Sequence, residues 1–171
     1  TCAAGWAADS DVTGSLCEGA TCDNTGADNA LCCDENACAQ VGTLGTGVVG
    51  GDTDACTTTT ALTTSSDRTC NLKCDTNTYV GQTATVECSA TAAAGDSVTG
   101  LPTCVPRAAC SAITCAAGWT ADSTANAELC EGATCVNTGA DNALCCDENT
   151  CAVVGVLGTG VVGGDSDACT T

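Results

Sequence analysis

The chain has 171 residues, with 21 acidic and 3 basic side chains, a formal net charge of −18, no histidine, and two Trp and one Tyr as its aromatics. That balance argues against nucleic acid as a partner, because phosphate contacts need Lys and Arg. The absence of histidine excludes Ser-His and Cys-His nucleophiles, so no enzyme is expected. Leu, Ile and Val together make 9 + 1 + 14 = 24 residues, a small supply of core for a chain of this charge. The compensating feature is 19 cysteines. At this density they predict a disulfide framework formed in an oxidising compartment, hence an extracellular or cell-surface protein. No apolar run reaches transmembrane length, and no membrane span is expected. The sequence shows no initiator Met and no signal peptide, and any signal or anchor is expected outside it.

Residues 1–58 return, ungapped, as residues 114–171, with 11 positions different and 58 − 11 = 47 identical. The chain therefore reads as cysteine-rich module A (1–58), a Thr-rich linker plus five-cysteine module B (59–113), and a second A (114–171). The frame has the look of a piece of a longer A–B–A–B array. Modules this small bury little surface and need staples. The expected fold class is small disulfide-rich modules, mainly irregular with short β-strands, in a tandem repeat array.

In chain order, each A opens on Cys-Ala-Ala-Gly-Trp, and Trp6 and Trp119 are expected to be the main apolar plugs. Asn24–Asn29 is turn chemistry, and Ala30–Cys38 fits a helical turn. Val41–Gly51 alternates Val and Leu with Gly and Thr, which fits short strands with tight bends. Gly45-x-Gly47-x-x-Gly50, and again Gly158-x-Gly160-x-x-Gly163, match the spacing of a dinucleotide-binding loop. Only 17 residues separate Cys38 from Cys56, however, which leaves no room for a βαβ unit. The glycines are read as serving bends and close backbone approach. Asp28, Asp34 and Glu35, with Asp52 and Asp54 of Gly51–Cys56, could supply oxygen ligands for calcium. Their spacing matches no EF-hand, and solvated turn acids are the plainer reading. No Cys-x₂-Cys pair occurs, which argues against a thiolate metal site.

Thr57–Thr69 lacks apolar periodicity and reads as a linker. In an extracellular protein its Thr57, Thr58, Thr59, Thr60, Thr63, Thr64, Ser65 and Ser66 are candidates for O-linked glycans. Asn-x-Ser/Thr sequons are absent, and Asn36 and Asn149 carry only the Asn-x-Cys pattern. Within B, Thr78–Cys88 fits a strand or hairpin arm.

The cysteines divide oddly. The first A holds seven (Cys2, Cys17, Cys22, Cys32, Cys33, Cys38, Cys56) and B five (Cys70, Cys74, Cys88, Cys104, Cys110). The second A again holds seven (Cys115, Cys130, Cys135, Cys145, Cys146, Cys151, Cys169). The simplest closure is one disulfide joining each A to a neighbouring B, which leaves one cysteine of an A–B–A piece without its partner. A reduced or interchain-bonded cysteine is the alternative.

From Cys17 to Cys56 the order C…C…CC…C…C resembles the cystine-knot framework. The resemblance implies Cys17–Cys33, Cys22–Cys38 and Cys32–Cys56, and in the second copy Cys130–Cys146, Cys135–Cys151 and Cys145–Cys169. It leaves Cys2 unpaired and Cys115 to bridge to Cys110. In B, Thr78–Cys88 and Thr99–Cys110 resemble part of a sushi (complement-control) module, which implies Cys70–Cys88 and Cys74–Cys104 and leaves Cys110 over. The acidic, Thr-rich modules with this spacing resemble cysteine-rich repeat proteins of protist and microalgal cell surfaces, including those of flagellar hairs (mastigonemes). That resemblance implies a structural segment of an extracellular, O-glycosylated, disulfide-stapled filament whose partner is itself. Two other readings stand beside it: a calcium-dependent adhesive or ligand-binding cell-surface module, for which glycans are a candidate partner, and a secreted knottin-type inhibitor array.

Overall fold

Where both copies of module A are described, they form the same strand, helix and strand. In a computed structural model that describes residues 1–12 and 21–150, strand β1 (Trp6–Ala8) leads, beyond a loop, to helix α1 (Gly26–Cys32) and strand β2 (Cys33–Glu35). Strand β2 folds back antiparallel on β1, with Trp6 opposite Glu35 and Ala8 opposite Cys33. The helix begins earlier than expected, inside the Asn24–Asn29 turn. The cause lies in two polar side chains that tie its first turn to the chain around it. Asp28 accepts the N–H of Asp23 at 3.0 Å, and Asn29 Oδ1 accepts the N–H of Ala3 at 2.9 Å. Both residues are buried. A carboxylate is also favoured in a first helical turn.

Five strands follow, one from the rest of A and four from B. Val48–Gly50 (β3) pairs antiparallel with Thr69–Cys74 (β4), and β4 pairs with Ala84–Glu87 (β6). Between them in sequence, Tyr79–Val80 (β5) pairs with Val105–Pro106 (β7). The inward face of β4 is Cys70, Leu72 and Cys74, alternating with exposed or half-buried neighbours as a pleated strand requires. Leu72 and Val86 are fully buried. Around them pack Cys38, Val41 and Cys56 of A and Leu62, Cys70, Cys88 and Ala92 of B, so A and B share one core. Gly47 has φ +76°, and a Cβ there would meet the Tyr79 ring at 2.5 Å. This is the close approach expected of that glycine run.

The chain forms two compact units, Thr1–Val105 and Pro106–Thr171. The second opens with a one-turn 3₁₀ helix (Cys110–Ala112) and continues as β8 (Trp119–Ala121), α2 (Gly139–Cys145) and β9 (Cys146–Glu148). The register of the first copy returns, with Trp119 opposite Glu148 and Ala121 opposite Cys146. Asn142 Oδ1 accepts from Ala116 N–H as Asn29 does from Ala3. The expected fold class is the observed one: small disulfide-rich units with short antiparallel strands and much irregular chain.

Two expectations need correction. The tryptophans are only half-buried, and the interior is cystine instead. Ten of the sixteen buried apolar residues among those described are cysteines. Nor is Thr57–Thr69 a bare linker. Leu62 is buried in the shared core, and Thr64 is 3% exposed with its hydroxyl donating to Gly5 C=O at 2.5 Å.

Candidate functional site

The feature that dominates the molecule chemically is its disulfide network. Seven bridges join described residues: Cys2–Cys33, Cys38–Cys88, Cys56–Cys70, Cys74–Cys104, Cys110–Cys145, Cys115–Cys146 and Cys130–Cys135. Cys22 is disulfide-bonded as well, and Cys32 is a free thiol. Three of the seven cross a sequence-module boundary. Cys38–Cys88 and Cys56–Cys70 run from the first A into B, and Cys110–Cys145 runs from B into the second A. Module B meets its odd count with three crossings, whereas the first A makes two and meets its odd count with the free Cys32.

The knot pairing does not form. Cys33 bonds to Cys2 in place of Cys17, and Cys38 to Cys88 in place of Cys22. Cys56 bonds to Cys70 in place of Cys32, which is left free. In the second copy Cys146 bonds to Cys115, Cys130 to Cys135, and Cys145 to Cys110. The reason is geometric. The adjacent pair Cys32-Cys33, like Cys145-Cys146, straddles the helix–strand corner, and the helix side chain Asn29, like Asn142, holds the N–H of the residue after the module's opening cysteine and so keeps that cysteine beside the corner. Cys2 is therefore bonded rather than unpaired, and Cys110 reaches Cys145 rather than Cys115. In B, Cys70–Cys88 is likewise replaced. Cys70 lies on β4 and Cys88 directly after the adjoining β6, but each bonds to a cysteine of A. Cys74–Cys104 forms as the sushi likeness implies. Cys17, Cys151, Cys169 and the Gly158–Gly163 run lie outside the described residues.

The first junction is reinforced by polar contacts. The segment Gly51–Cys56 of A wraps Asn71 of B. Asn71 C=O accepts from Gly51 N–H and Cys56 N–H, its N–H donates to Asp54 C=O, and its Nδ2 donates to Thr53 C=O at 3.1 Å. Asp54 takes φ +48° to make this turn. On the other side Asn36 Nδ2 donates to Ala92 C=O at 2.8 Å, which removes this Asn-x-Cys position from glycosylation in the folded chain. Glu35 accepts both the N–H and the hydroxyl of Ser66 at 2.9 Å. The Ser66 N–H, and after it the Thr63 hydroxyl, holds the Glu35 carboxyl below its ordinary pKa.

The five carboxylates named for calcium have separate positions and do not converge. Asp28 braces the helix, Glu35 holds Ser66, Asp52 pairs with Lys73, Asp54 serves the Asn71 turn, and Asp34 is exposed on β2. Among the described residues, one group of potential metal ligands gathers within 4.8 Å: the buried sulfurs of Cys110, Cys130 and Cys145. These belong to two packed cystines, with 3.7 Å between Cys130 Sγ and Cys145 Sγ, and a cystine offers no thiolate.

Of the eight hydroxyl positions proposed to carry glycans, Thr57, Thr58, Thr59, Ser65 and Ser66 are exposed, and Thr60 and Thr63 are half-buried. Thr64 is withdrawn from the set, because its hydroxyl is buried on Gly5. No helix among the described residues is long and apolar enough to cross a membrane. No protein-family model, curated protein or solved structure matches the chain.

Sequence reasoning missed Asn71 and the free thiol at Cys32. Cys32 and Cys145 are equivalent positions of the repeat, yet the first is free and the second is bonded to Cys110.

Proposed function

We propose that the chain is a structural segment of an extracellular filament, O-glycosylated on the exposed part of its Thr/Ser tract and assembled from repeated A and B modules. The observation that carries this reading is that three disulfides cross between the sequence modules. Cross-module cystines favour a mechanical role, because tension along the chain is then borne by covalent bonds as well as by a small core. Near-identical copies of A with the same internal register support repeated joining at a constant angle, and constant joining generates a rod or helix. The disulfides themselves indicate folding in an oxidising compartment and a disulfide-stabilised, secreted type of protein. No catalytic role is proposed.

Electron microscopy of the native material tests the filament. Regular fibres with one repeat distance are expected, and isolated flexible beads would contradict it. Intact mass before and after deglycosylation would give the sugar load.

A further inference from the structure

The second copy of A shows how the first can be completed. In the second copy Cys145 is 1% exposed and bonded to Cys110, which arrives on the segment Arg107-Ala-Ala-Cys-Ser-Ala-Ile113. That segment is integral to the core there, where Ala108 and Ile113 pack with Cys110, Cys115, Cys135, Cys145 and Cys146. Its backbone is held too. Ala108 N–H donates to Gly132 C=O at 2.9 Å, Cys110 N–H donates to Glu128 C=O at 2.8 Å, and Ala108 C=O accepts from Cys130 N–H at 2.8 Å.

In the first copy the equivalent cysteine, Cys32, is a half-buried free thiol. It opens on a hollow of about 220 Å³ whose walls include Cys2, Ala8, Cys22, Asp28 and Cys33. Four of its cysteines (Cys2, Cys22, Cys32, Cys33) correspond to Cys115, Cys135, Cys145 and Cys146, the residues that surround Cys110 in the second copy. The rim of the hollow carries Asp23 where the second copy has Val136, which suits a segment that brings an arginine.

We propose that Cys32 and this hollow are a covalent docking site for the tail of another B module, a segment with the chemistry Arg-Ala-Ala-Cys-Ser-Ala-Ile, and that Cys32 bonds to its cysteine as Cys145 bonds to Cys110. The bond forms by thiol–disulfide exchange. The Cys32 thiolate attacks the tail sulfur of a mixed disulfide, the Cys32–tail S–S bond forms as the old one breaks, and the departing thiolate takes up the proton Cys32 released. No net oxidation is needed. The site rests on the proposed array only for the source of the tail.

The test uses the whole chain and a synthetic peptide of residues 106–113, its cysteine carried as a thiopyridyl mixed disulfide. Controls are a scrambled peptide and glutathione activated in the same way. Pyridinethione release gives the rate, and intact mass with peptide mapping gives the position. The native-order peptide is expected to be captured at Cys32 at least about tenfold faster than either control, the effect of roughly 1.4 kcal/mol of recognition. Cys32→Ser, which removes no bond of the folded chain, is expected to abolish the adduct. Equal rates for all three reagents, or capture at another cysteine, would overturn the proposal. Preferential capture by a protein that forms no fibres would keep the docking site and remove the filament. Fibres without preferential capture would do the reverse.

Discussion

At the scale of single residues, polar side chains fix loops that a small apolar core would leave loose. Glu35 shows the sign of one such contact. The Ser66 N–H lowers its carboxyl pKa in the folded chain, so the contact contributes stability above the ordinary carboxylate value of about 4.3 and loses it as pH falls through the native pKa. The protection of the Ser66 amide relative to its intrinsic exchange rate is expected to fall below that point, and Glu35→Gln is expected to flatten the response when followed by NMR. Thr64 provides a second check. Its hydroxyl is buried on the Gly5 carbonyl, so glycan mapping of the native protein is expected to find sugar among Thr57–Thr59, Ser65 and Ser66 and none on Thr64. Thr64→Val is expected to cost about 1 kcal/mol in denaturant unfolding with the disulfides intact.

At the scale of elements, the β1–α–β2 corner and its second copy are the same device twice. Asp141 accepts the N–H of Glu131 at 2.7 Å and of Val136 at 3.0 Å, and it is 3% exposed. Asp141→Ala strands both donors and is expected to destabilise the protein by about 2–3 kcal/mol, measured by urea unfolding, with Asp141→Asn milder because one acceptor oxygen remains. This level also shows what the sequence could and could not yield. The strand near Val48 and the strand character of Thr78–Cys88 were legible, because alternation and glycine bends are local signals. The early start of the helix was not, because Asp28 and Asn29 are turn formers by composition and become helical only when loop N–H groups engage their side chains. The Thr tract misled in the same way. Nothing local distinguishes Leu62 and Thr64 from linker residues, and both are buried by partners that are distant in sequence.

At the scale of the whole molecule, repeat and covalent structure are out of phase. The sequence repeats as A–B–A, whereas the tail of B from Pro106 belongs to the same compact unit as the second A, and the latter half of the first A shares its core with B. The repeat could be read from the sequence, and cysteine parity pointed to a bridge between modules or to a free thiol; the fold has both. Parity carries no geometry, so the partners had to come from the fold. The adjacent cysteines of the cystine-knot order are separated by a helix–strand corner, and one of each pair leaves its module or, at Cys32, remains free. The direct measurement is disulfide mapping of the unreduced protein, with free thiols alkylated before proteolysis. The expected linked peptides join Cys38 to Cys88, Cys56 to Cys70 and Cys110 to Cys145, with the alkyl label on Cys32. The knot-type bridges Cys22–Cys38 and Cys32–Cys56 in place of these would contradict the account.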